Sequence, residues 1–349
     1  MYILPDDKAV FDPADNVQIT LQNSHQFFQV MAGELFSQQA TFGTSGSGNG
    51  NLSSPSGIAI TSDGTEVWVV DTGNHRITRW NRDGTWVGSI GAEGSGNEQF
   101  DAPLDIAMDA TYAYIADRDN NRIQKVKLSD RAFTARWTTN YLPTGVTVDT
   151  TNSKVYAARR FSPTATAGYI TRYDTDGSSP SNTISFTGQY PFGVHWNSAD
   201  GYLYVSRYND GAYKPHLYRY TTSGVLHSSA LGRLLPSQML GFGYMASGVD
   251  GCLYCSRPEW HKIDKRLAFG NELDSIAAYG NEGSGSGNLS TPKGIAIYGD
   301  DVFVVDSGNH RVVRIKSLTD SNGTVFQIGN DGTAKFLGFL TQAQIGTVR

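Results

Sequence analysis

Three arginines recur at one place in the chain's internal pattern. Arg159, Arg207 and Arg257 each close a short apolar run (KVYAAR, YLYVSR, CLYCSR). In three other runs of the same kind that place is held by Asp71, Asp117 and Asp306. With Arg118 and Arg160 nearby, they form a cationic set in a chain whose net charge is -5. The segments that follow are irregular and bring Phe161, Tyr208, Tyr213 and Trp260. Guanidinium forks beside aromatic rings suit a carboxylate, sulfate, phosphate or sugar. The set Arg118, Arg159, Arg160, Arg207, Arg257, Tyr208, Tyr213 and Trp260 is therefore the candidate ligand-binding surface. The competing reading is structural, each arginine pairing with a local acid such as Asp210 or Glu259.

Three histidines, His195, His216 and His261, fall in the same part of the chain, and a histidine cluster can bind zinc or act as a base. That metal or catalytic reading stands beside the simpler one of satisfied structural histidines. No GxSxG, HExxH or Walker pattern is present, so no catalytic residues and no cofactor are assigned.

The elements that position these residues come from a repeated unit. Residues 54–80, SPSGIAITSDGTEVWVVDTGNHRITRW, have a near copy at 290–315 and a looser one at 103–126. Each contains short Val-, Ile- and aromatic-rich runs bounded by polar turns, the pattern of antiparallel strands joined by hairpins. The pattern PxGIAxx…VxVxDxGNHRI, preceded by GSGNGNL or GSGSGNL, resembles the NHL repeat. This resemblance implies an all-β fold, a six-bladed β-propeller with four-stranded antiparallel blades. Inner strands are expected near 57–60, 105–108, 145–148, 193–196, 245–249 and 294–297. Second strands are expected at 67–70, 112–116, 154–158, 202–206, 253–256 and 302–305. His75 and His310 belong to the GNHR turns and read as turn residues. Related propellers place metal-bound histidines or a channel calcium at the axis. Among the expected inner strands only Asp105 offers an acid, which disfavours calcium.

Third strands carry one basic residue per unit, assigned as Arg79, Lys125, Arg172, Arg219, Lys262 and Arg314. Their stems are expected to pack on a neighbouring blade with the charge in water. The run 35–43, LFSQQATFG, reads as a spare outer strand that latches the last blade, because an open edge is an aggregation hazard. A competing outer strand is visible at 324–328. The division is a non-repeat segment at 1–34, a docking arm in one reading, the propeller at 35–329, and a tail at 330–349 containing Phe336, Leu337, Phe339 and Leu340.

Only 17% of residues are charged, and the acidic balance gives no footprint for duplex nucleic acid. Neither a signal-peptide pattern nor a membrane-length apolar run is seen. Cys252 and Cys255 are three apart on a strand, point to opposite faces and read as small hydrophobes. These features favour a non-catalytic binding or docking module, extracellular-facing or on a virion surface, that recognises a partner protein or an anionic or glycan ligand. The alternatives are a metal-dependent lyase-like enzyme and an intracellular, cytoplasmic scaffold.

Overall fold

A computed structural model describes residues 18–21, 27–31, 36–160, 167–209, 215–228, 243–249, 251–269, 272–317, 325–328 and 334–336. Side chains are described within 36–160, 168–207, 217–227, 243–249, 251–266 and 278–317.

Blade 1 shows how the sequence makes each unit. Ile58–Ile60 pairs with Glu66–Asp71 across the Asp63-Gly64 turn, where Gly64 takes a φ of +72°. A short 3-10 turn, Thr72–Asn74, leads into Arg76–Asn81, and a second hairpin leads to Trp86–Ile90. Blade 2 is built from Asp105–Met108, Tyr112–Asp117, Arg122–Lys127 and Phe133–Thr138. Blade 3 uses Leu142–Asp149, Lys154–Arg160, Ala167–Asp174 and Ser181–Thr187, and blade 4 uses Gln189–Asn197, Tyr202–Asn209, Pro215–Tyr220 and Leu226–Ser228. Blade 5 follows with Met245–Ser247, Cys252–Arg257, Lys262–Phe269 and Glu272–Tyr279.

Blade 6 takes three strands from the end of the repeat array, Pro292–Tyr298, Asp301–Asp306 and Arg311–Ser317, and its outer strand from the beginning, Phe36–Phe42. The spare N-terminal strand is thus the latch. The competing segment, Val325–Ile328, pairs instead with Phe27–Met31, in a separate sheet completed by Gln18–Leu21 and Ala334–Phe336. The remainder of the tail cluster, Leu337, Phe339 and Leu340, lies outside the described residues.

The six inner strands neighbour one another in chain order, and the sixth returns to the first, so the blades close into a ring: a six-bladed β-propeller. Its core lies between blades. Val67 and Val69 of blade 1, for example, pack with Phe303 and Val305 of blade 6. Near the axis the backbones approach so closely that a Cβ on Gly57 would stand 2.7 Å from the Asp105 Cα, and one on Gly294 would stand 2.5 Å from the Ser56 carbonyl. The Gly of PxGIA in blades 1 and 6 is therefore a packing requirement at those two positions. One face of the disc carries the turns between second and third strands and the starts of the inner strands; it is called the turn face below.

Candidate functional site

In blades 1, 2 and 6 the aspartate at the end of the second strand is a buried hub. Asp71 accepts from the Ser53 amide at 2.6 Å, from Asn74 Nδ2 at 2.8 Å and from Arg76 Nε at 2.8 Å. Arg76 continues to the carbonyls of Gly48 and Asn51, in the glycine-rich loop that leads into the blade. Asp117 with Arg122, and Asp306 with Arg311, repeat the arrangement on residues 95–99 and 284–288. Aspartate, asparagine and arginine thus form one device that satisfies the carbonyls of a tight loop.

The next histidine of each turn ties neighbouring blades together. His75 and His310 adopt left-handed conformations, with φ of +52° and +53°. Their Nδ1 atoms accept the Ala102 amide at 3.1 Å and the Ser54 amide at 3.0 Å, at the start of the following blade. His261 does the same in blade 5, with φ of +54° and the Thr291 amide at 3.2 Å. It is a blade-junction residue, and its place in the metal-binding alternative is corrected accordingly: the turn PEWH takes the shape of TGNH although the letters differ.

Blade 3 begins after a short connection rather than a glycine-rich loop, so no cradle is left for an aspartate to organise. Arg159, 4% exposed, occupies the position instead. It donates to the Thr139 carbonyl and, at 2.6 Å, to Asn182, and its guanidinium lies 5.4 and 5.5 Å from the stacked rings of Tyr141 and Tyr169. Arg257 pairs with Asp264 at 3.2 Å and also lies 4.7 Å from the ring of the exposed Trp260. Arg118 forms a bidentate pair with Asp119 at 2.7 and 2.8 Å. Arg160 stacks over Tyr190 at 4.0 Å. Arg207 differs from these: its guanidinium lies 3.7 Å from the Tyr218 ring and 5.2 Å from that of Phe186, and it has no acidic partner among the described residues. Register puts Arg159, Arg207 and Arg257 at the same level as Asp71, Asp117 and Asp306, on the turn face. Phe161, Asp210 and Tyr213, and the side chains of Tyr208 and His216, lie outside the described residues.

The axis holds a second group of functional side chains. Asp105 stands where four other blades have glycine, and is 7% exposed. Its carboxylate accepts the amides of Val146 and Ile106, both at 2.9 Å, and burial raises it to about 7. From the opposite blade Tyr244 extends across the ring, its hydroxyl 3.5 Å from the Leu104 carbonyl, a long and weak hydrogen bond. Phe192 meets the same ring edge-on at 5.3 Å. On the wall of the channel His195 shares a 2.6 Å hydrogen bond with Ser247, and burial lowers it to about 4, so it is neutral at pH 7. Lys293, just before the inner-strand glycine of blade 6, is held below the usual lysine range first by burial and then by the Arg118 charge. Among the described residues no group of three or more His, Cys, Asp or Glu side chains could hold a metal ion.

A family model for the NHL repeat matches residues 52–80, the unit that holds the Asp71 hub and the His75 turn. The chain is a six-bladed β-propeller that carries an NHL repeat at residues 52–80. No curated protein matches it in sequence. Among solved structures it is similar to virginiamycin B lyase from Staphylococcus aureus, with a TM-score of 0.52 and 15% identity over 80% of this chain and 99% of that one. It is also similar to the PQQ-bound aldose sugar dehydrogenase of Streptomyces coelicolor, with a TM-score of 0.57 and 15% identity over 80% and 97%. A gluconolactonase from Xanthomonas campestris gives 0.53 and 14% over 90% and 99%. At these identities the likeness is one of fold.

In this propeller the third-strand cations have a different role from the one expected. Each faces an aromatic residue on the second strand: Trp68, Tyr114, Tyr156, Tyr204, Tyr254 and Phe303 stand opposite Arg79, Lys125, Arg172, Arg219, Lys265 and Arg314. The fifth is Lys265, not Lys262. Several are buried rather than solvated: Lys125, Arg219 and Lys265 are 8%, 4% and 2% exposed. Lys125 donates to Thr175 of the next blade at 2.9 Å, and Lys265 to Ser317 at 2.9 Å. The signal was an aromatic residue three positions before each hub Asp or Arg, which is legible in all six units.

Proposed function

We propose that the protein is a non-catalytic binding and docking module whose turn face, on blades 3 to 5, engages an anionic or glycan group of a ligand or partner protein. The observation that carries this reading is Arg207. Its guanidinium is oriented by stacking on Tyr218, lacks an acidic partner among the described residues, and is the stacked fork that planar anions and sugar acids engage. The engagement of Arg118, Arg159 and Arg257 by their own neighbours assigns those three to framing the surface rather than contacting the ligand.

The proposed setting is extracellular-facing, on a cell surface or virion. A charged fraction of only 17% supports it, as does the pairing of strands from both chain ends in a sheet apart from the blades, which would serve as the attachment device. An array of sulfated, sialylated and neutral glycans, probed with wild type and Arg207→Lys, tests the reading. Binding to acidic glycans is expected to fall about tenfold in the lysine variant, which keeps the charge but loses the planar fork. Equal binding by the two proteins would overturn it.

A further inference from the structure

Away from the rim arginines and from the axial cavity that Asp105 lines, the three glycine-rich loops share one shape but differ in chemistry. They lie at residues 44–52, 92–100 and 282–289 and lead into blades 1, 2 and 6. Each contains a tight turn closed by one backbone hydrogen bond. The Asn51 amide donates to the Gly48 carbonyl at 3.2 Å, Gln99 to Gly96 at 3.4 Å and Asn288 to Gly285 at 3.2 Å. The third residue of each turn has a positive φ: +75° at Gly50, +57° at Glu98 and +78° at Gly287. The residue before it is Asn49, Asn97 or Ser286.

In two of the loops the amide of that third residue is held. Glu98 donates to Gln124 Oε1 at 3.1 Å, and Gly287 to Gln38 Oε1 at 2.9 Å. At the level of Gln124, blade 1 has the shorter Thr78, whose hydroxyl is taken by the Val69 carbonyl and by Trp80 Nε1. The Gly50 amide therefore finds no acceptor among the described residues, and the exposed Asn49 side chain makes no hydrogen bond among them.

An asparagine followed by glycine carries its own nucleophile. The Gly50 nitrogen, once its proton has passed to solvent, can attack the side-chain carbonyl carbon of Asn49. The N–Cγ bond forms, the Cγ–Nδ2 bond breaks and ammonia leaves. Water then opens the five-membered imide at either carbonyl and gives an aspartyl or an isoaspartyl residue. The net change is amide plus water to carboxylic acid plus ammonia, with nothing oxidised or reduced. A β-carbon on the attacking residue crowds the ring closure, and a hydrogen bond from its amide must first be broken. Gly50 carries neither obstacle, whereas Glu98 carries both.

We propose that Asn49 is a modification site, deamidated by the Gly50 nitrogen without an enzyme, and that the product loosens the loop of blade 1. Arg76 grips this loop through the Gly48 and Asn51 carbonyls, at 2.9 and 3.0 Å, on either side of the altered bond. An isoaspartyl residue adds one carbon to the backbone between those two carbonyls. Arg76 then loses one of them, and with it part of the support for its Asp71 partner. Because the loop runs on from the latch strand Phe36–Phe42, the slack falls where the ring closes. The inference does not depend on Arg207.

Peptide mapping of the full chain tests it, with fragmentation that separates isoaspartyl from aspartyl residues. The protein is incubated at pH 6 and pH 8 for the time in which the isolated peptide of residues 45–53 becomes half converted. Asn49 is expected to convert at least about tenfold faster than Asn97, mainly to the isoaspartyl form. The rate is expected to be higher at pH 8, because the attacking nitrogen must lose its proton. In the converted protein, amide hydrogen exchange across residues 71–76 is expected to be faster than in fresh protein. An Asn49 that keeps its amide, an Asn97 that converts as fast, or unchanged exchange after conversion would overturn the proposal. The comparison lies within one chain, so no variant has to fold.

Discussion

Asp105 makes the dependence of stability on pH a direct test of the axial geometry. Its ordinary value is 3.8, and burial holds it at about 7. Between these limits the folded chain binds a proton that the unfolded chain has released, so stability declines as pH rises through that window. At about 1.4 kcal/mol per pKa unit, ionising the buried carboxyl costs about 4 kcal/mol above pH 8 relative to pH 4. Asp105→Asn keeps the shape and one carbonyl acceptor but cannot ionise. Urea unfolding of both proteins from pH 4.5 to 8.5 isolates the effect, because every other titrating group cancels in the difference. The stability of the asparagine variant relative to wild type is expected to rise by about 3–4 kcal/mol across that range and then level off. A difference that stays constant with pH would refute the reasoning, and with it the burial of the Asp105 carboxyl.

The hub aspartates give a second test. Asp117→Ala strands Arg122 and the Asp101 amide and is expected to cost about 3–5 kcal/mol in urea unfolding, whereas removing Arg122 together with Asp117 costs less than the two single changes summed. His310→Ala removes the acceptor for the Ser54 amide and is expected to cost about 1 kcal/mol, with faster hydrogen exchange confined to the junction of blades 6 and 1. Truncating the chain before residue 43 removes the outer strand of blade 6 and uncovers the edge of Arg311–Ser317; size-exclusion chromatography with light scattering is expected to show self-association.

Local chemistry was legible from the residues because each unit repeats it. The hairpin turns, the apolar runs and the GNHR turns follow from residue types a few positions apart, and six copies of a short-strand unit require a closed architecture to bury their faces. The same periodicity correctly aligned Arg159, Arg207 and Arg257 with Asp71, Asp117 and Asp306. Misassignments arose where a position's role depends on another blade. His261 sits in a turn whose letters, PEWH, conceal a backbone identical in kind to that of His75, and only the Thr291 amide of the following blade reveals its function. Lys262 was preferred to Lys265 because a strand's register against its neighbour is not written in the strand itself.

The sequence by itself determined the unit: strand, turn, hub and the cation-bearing third strand, all set by contacts a few residues apart along the chain. Tertiary structure alone decided which strand closes blade 6, because Phe36–Phe42 and Val325–Ile328 are both competent edges and the choice rests on a pairing between opposite ends of the chain. It alone also made Asp105, an unremarkable acid among alternating apolar residues, the one carboxylate of the axial cavity. That environment is assembled from all six blades, and no single stretch of sequence contains it.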